Sequence, residues 1–73
     1  MPKDYNEGQS YIVSYIDKKG ERSTLTDMIY LGQSKDGVWD YFMWYYHGEY
    51  IKISNGYMFR NNTPLKIVSI ISI

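Results

Sequence analysis

The sequence predicts an all-β domain, an antiparallel meander of five or six strands curled into a small barrel. Three observations lead to this. Short polar clusters ending in Gly punctuate the chain at Asp17-Lys18-Lys19-Gly20, Ser34-Lys35-Asp36-Gly37, His47-Gly48 and Ser54-Asn55-Gly56. Asn-Gly and Asp-Gly suit the positive φ angles of a type I′ hairpin turn. No window repeats apolar residues at helical spacing for long enough to make a helix. Alanine, the best helix former, is absent, whereas Ile and Tyr, which suit a half-buried pleated surface, are abundant.

The apolar runs between the turns predict strands near 10–17, 22–32, 38–46, 49–54, 57–60 and 65–72. Asn61-Asn62-Thr63-Pro64 reads as a loop or a single helical turn closed by Pro. Residues 10–73 form one small β-barrel domain, preceded by residues 1–9 as a flexible arm in which Lys3, Asp4, Asn6, Glu7, Gly8 and Gln9 offer little to bury. Such a meander cannot stay flat without exposing its apolar face, so it closes on itself or folds over as two sheets. Its strand order resembles an SH3-like barrel in architecture alone, because the acidic–aromatic motifs of peptide-binding SH3 domains are missing.

The turns also assign faces. A two-residue turn at His47-Gly48 pairs Tyr45 with Tyr50, Trp44 with Ile51 and Phe42 with Ile53. A turn at Asp36-Gly37 pairs Leu31 with Phe42 and Ile29 with Trp44, and one at Asn55-Gly56 pairs Met58 with Ile53 and Phe59 with Lys52. Because side chains alternate, Ile29, Leu31, Phe42, Trp44, Ile51, Ile53 and Met58 are expected inside. Val13, Leu25, Leu65, Ile67 and Ile71 are expected to join them. The opposite face carries Trp39, Tyr41, Met43, Tyr45, Tyr50, Lys52, Tyr57 and Phe59, with Tyr30 and Met28 beside Met43 and Tyr45. Rings on that scale approach the largest apolar patch usual on a monomer, and Tyr, Trp and Met are enriched where proteins meet. The competing reading roofs part of this face with residues 1–10, the 18–26 loop or the last strand.

Chemistry finds little support. With 8 basic and 8 acidic residues the net charge is zero, which argues against a nucleic-acid clamp. The absence of Cys removes disulfides, zinc fingers, iron–sulfur centres and thiol catalysis. The single histidine, His47, reads as a turn residue, and no metal site or cofactor is expected. Ser10, Ser14, Ser69 and Ser72 alternate with apolar residues in strands, and none sits in a nucleophile elbow. Asp40, mid-strand between Trp39 and Tyr41, lies by register on the side of Phe42 and Trp44 and is expected to reach solvent at the barrel rim, the competing reading being a buried carboxylate. The chain therefore reads as a non-enzyme.

No apolar run approaches the roughly 20 residues that span a bilayer, and the N-terminus is too polar for a signal peptide, so a cytoplasmic protein that meets no membrane is expected. The Ile, Lys, Asn and Tyr usage fits an AT-rich microbe or phage. In a phage the natural role is modulating or inhibiting a host protein in the host cytoplasm. The expected partner is another protein, bound through the aromatic face. The alternative is single-stranded nucleic acid stacked on the same rings, with Lys52 and Arg60 supplying little charge. Leu65–Ile73 is apolar on both sides and nearly uncharged, so it either closes the barrel against the first strand or makes a homodimer by edge pairing. Closure is the expectation.

Overall fold

The structure, a computed structural model, describes residues 5–73. Six strands follow one another: β1 (Ser10–Ile16), β2 (Arg22–Gln33), β3 (Asp40–Trp44), β4 (Glu49–Ser54), β5 (Tyr57–Arg60) and β6 (Thr63–Ser72). Each pairs antiparallel with the next, and β6 returns to β1, closing a barrel. It is an all-β fold of six antiparallel strands, consistent with an SH3-like small barrel. Among the described residues no helix is long and apolar enough to cross a membrane.

Two long strands bridge the two halves of the barrel. β2 pairs with β1 through its first half and with β3 through its second, while β6 pairs first with β5 and then with β1. Both strands are bulged where they change partner. In β2 the register with β1 shifts around Asp27, whose φ is +56°, and the register with β3 shifts between Tyr30 and Gly32. In β6 the shift falls at Val68. An extra residue sharpens the local bend and twist, which a small closed sheet requires.

The turns differ from expectation in two places. His47-Gly48 is the second half of a four-residue turn, so Phe42 faces Ile51 and Met43 faces Tyr50, two residues out of the expected register. A two-residue slip preserves every side-chain face. Asn61 and Asn62 both take positive φ and make a tight hairpin, so Thr63 and Pro64 already belong to β6. Pro64 stands opposite Phe59, one step beyond the Arg60–Thr63 pair that flanks the turn. Its nitrogen therefore points away from β5, where no ladder bond is lost.

The core corrects one set of faces. Val13, Met28, Phe42, Ile51, Ile53 and Met58 are fully enclosed, with Leu25 and Leu65 beside them. Trp44, Ile67 and Ile70 pack on the core while remaining partly exposed. Ile29 and Leu31, expected inside, face outward, and Met28 and Tyr30 take their place. The bulge before Gly32 is the cause, since one extra residue reverses the parity of the residues before it, back to the second bulge at Asp27, which returns Leu25 to the inside. Ile71 also lies outside, 56% exposed, because the bulge at Val68 shifts the face of the last residues.

Of the arm expected over residues 1–9, residues 1–4 lie outside the described residues. Residues 5–9 lie against the barrel. Gly8 N–H donates to Tyr30 O at 2.8 Å, and Tyr30 N–H donates to Gln9 O at 3.1 Å, extending the β1–β2 ladder. The Tyr5 ring meets Tyr11, Tyr30 and Phe42 at centroid distances of 5.2, 5.2 and 5.4 Å, mostly edge to face. Burial, followed by the nearby charge of Asp40 and then Tyr11, pushes the Tyr5 phenol up to about 12. Asp40 is not at the solvent-facing rim: it is 3% exposed and accepts a 2.9 Å bond from the Tyr30 hydroxyl.

Candidate functional site

The outer face of β3, β4 and β5 is built by alternation. Tyr41 and Met43 project from β3, Tyr50 and Lys52 from β4, and Tyr57 and Phe59 from β5, in each case opposite residues that enter the core. The register sets Tyr41 beside Lys52, Lys52 beside Phe59, and Met43 beside Tyr50. Trp39, just before β3, meets Phe59 edge to face at 5.3 Å, and the Lys52 ammonium lies 4.4 Å from the Trp39 ring centroid. This cation–π contact holds the Lys52 stem along the rings while its charge stays at the surface.

The face is open. Tyr41, Tyr50 and Tyr57 are 39%, 74% and 44% exposed, so no described segment roofs these rings. A groove of about 450 Å³ crosses it from Leu31 over Tyr41, Tyr50 and Lys52 to Phe59 and the Asn61-Asn62 turn. None of the residues projecting outward from β3, β4 or β5 is acidic, and Lys66 stands beside Tyr57 in the neighbouring strand. The surface is thus aromatic and weakly cationic.

The eight expected site residues are not all brought together. Trp39, Tyr41, Lys52 and Phe59 form one cluster, with Tyr50 and Met43 adjoining it and Tyr57 two residues along β5. Tyr45, 62% exposed, sits in the four-residue turn against Tyr46. There it lines a separate hollow with Ser10, Asp27 and Ile29, and the Tyr46 hydroxyl donates to Asp27 Oδ2 at 2.6 Å. Tyr30 belongs to the core. Leu31, Asn61 and Asn62 enter the groove although sequence reasoning did not place them there. The signals for them were an isolated Gly inside a strand, marking a bulge, and an Asn-Asn pair able to take positive φ twice.

A second polar cluster lies where β3, β4 and β5 approach β1. Arg60 Nε donates to Glu49 Oε2 at 2.9 Å and Nη2 to Oε1 at 2.8 Å, a bidentate pair, while Nη1 donates to the Tyr15 hydroxyl at 3.2 Å. The guanidinium also lies 5.4 Å from the Trp44 ring centroid. Hydrogen bonding from Arg60 holds the Glu49 carboxyl below its ordinary value. His47 lies within the turn, as its sequence position suggested, its ring centroid 4.4 Å from that of Trp44 and tilted to it. Arg60, Glu49 and Tyr15 satisfy one another, while the buried Trp44 Nε1–H has no hydrogen-bond partner among the described residues.

Compared with known proteins, the chain matches no family model, no curated protein and no solved structure at a significant level.

Proposed function

We propose that this protein is a non-catalytic interaction module that binds a partner protein on the outer face of β3–β5, through Trp39, Tyr41, Met43, Tyr50, Lys52, Tyr57 and Phe59, with Tyr45 at its margin. The observation that carries this reading is the exposure of Tyr41 and Tyr50 around a ready-formed groove. Tyrosine suits such a role because its ring contributes apolar contact while its hydroxyl stays hydrated when no partner is present. Lys52 and Lys66 at the edge of the rings favour a partner segment that carries apolar side chains next to carboxylates. Occupying such a segment would modulate or block the partner, the role expected if the chain is encoded by a phage.

The test compares wild type with Tyr50→Ala and with a Tyr41→Ala/Tyr50→Ala double variant in capture from a host lysate, each first shown to be folded. A specific partner retained by wild type and lost by the double variant supports the proposal. An unchanged catch removes it. Oligonucleotide binding that depends on the same tyrosines and weakens steeply with salt would instead favour single-strand recognition.

A further inference from the structure

The barrel is closed, yet β6 is longer than the strand it leaves. Thr63–Lys66 pair with β5, and Ile67 N–H takes the last bond on that side, to Gly56 O at 2.8 Å. Beyond the bulge at Val68, the remaining residues pair with β1 alone among the described residues. Ile73 N–H donates to Ser10 O, so by alternation residues 69, 71 and 73 turn their backbone groups to β1. The N–H and C=O groups of Ile70 and Ser72 therefore point to an edge that no described strand covers.

We propose that this edge pairs with the same edge of a second copy, giving a two-fold homodimer in which Ile70 of each chain faces Ser72 of the other and the two Ile71 residues meet at the axis. A second copy is the occupant for three reasons. First, the pairing is self-matching, because Ile70 and Ser72 each present one donor and one acceptor at the same spacing, and reversing the strand reproduces the pattern. Second, residues 67–73 carry no charged side chain, although the chain has 16 (8 basic plus 8 acidic), so the strand meets its own image without like charges. The comparable open stretch of β2 begins at exposed Arg22 and ends at Asp27, charges of the kind that protect an edge from pairing. Third, this register stays clear of the Asn55-Gly56 turn and brings the exposed Ile71 against its copy on the outer face, where Ile12 already neighbours it.

Sedimentation equilibrium of the full chain from micromolar to millimolar concentration provides the test. The expected result is a mass rising from 8.7 kDa to about twice that value. Ser72→Pro deletes an edge N–H that β1 does not use, and Ile71→Lys, at an exposed position, places two like charges at the axis. Each should hold the protein at monomer mass across the range with the barrel's circular dichroism retained, and either variant alone is decisive if the other fails to fold. A wild type that stays at 8.7 kDa throughout, or a dimer that survives in the folded variants, overturns the pairing. Neither variant touches the β3–β5 face, so the two proposals fail independently.

Discussion

At the scale of single residues, polar groups set into a small apolar barrel need partners, and the Arg60–Glu49 pair shows how they are found. Both side chains are about a quarter exposed. Their fork geometry, with Tyr15 and Trp44 completing the guanidinium's surroundings, makes them more than a loose surface pair. Glu49→Gln should cost about 1–3 kcal/mol at neutral pH, the range for a hydrogen-bonded charge. The pH dependence follows from the direction of the Glu49 shift. A carboxyl held below its ordinary value contributes stability that is present above the unfolded pKa, near 4.5, and lost as pH falls through the folded one. Urea unfolding at pH 7, 5 and 3 should therefore find the gap between wild type and Glu49→Gln full at pH 7 and narrowing towards pH 3. A gap that is constant with pH would mean the variant acts through packing alone.

At the scale of elements, the bulges decide which side chains enter the core, and Gly32 is the clearest case. Its φ of +128° lies where side chains with a Cβ are strained, and an added Cβ would approach the Glu7 carboxylate to 3.1 Å. Gly32→Val should destabilise the barrel by about 1–3 kcal/mol in chemical denaturation. A cost under about 0.5 kcal/mol would show that β2 tolerates another path, since ordinary surface changes fall in that range. The same position explains the limits of reading this fold from sequence. Turn chemistry and the apolar runs between the turns located all six strands, and Asn55-Gly56 set the β4–β5 register correctly. Extending strict alternation through Gly32 misplaced Ile29, Leu31, Met28 and Tyr30 together, because parity propagates. The candidate face fared better. The error at the β3–β4 turn was an even number of residues, so Tyr41, Met43, Tyr50 and Lys52 kept their side. The register set Asp40 on the side of Phe42, yet the rim was preferred to burial because Tyr30, whose hydroxyl donates to it, was expected on the other face.

At the scale of the whole molecule, the nine tyrosines divide into two populations that ought to separate stability from recognition. Tyr5, Tyr11 and Tyr30 surround Phe42 in a chain of edge contacts, so the segment before β1 helps to complete the core of the barrel. Tyr41, Tyr50 and Tyr57 stand in solvent on the opposite side of their strands from the core. Removing the half-buried Tyr5 ring should cost about 1–3 kcal/mol, below the 3–5 typical of a fully buried aromatic. For a domain of this size that lowers the melting temperature by roughly 5–20 °C. Tyr50→Ala removes a ring that is 74% exposed and should change stability by no more than about 0.5 kcal/mol. Partner capture should reverse the order: at a temperature where both variants are folded, Tyr5→Ala retains the partner and Tyr50→Ala loses it. If Tyr5→Ala melted like wild type, the N-terminal segment would not complete the core. If Tyr50→Ala lost partner and stability together, its effect would be on the fold, and the case for a separate recognition face would fall with it.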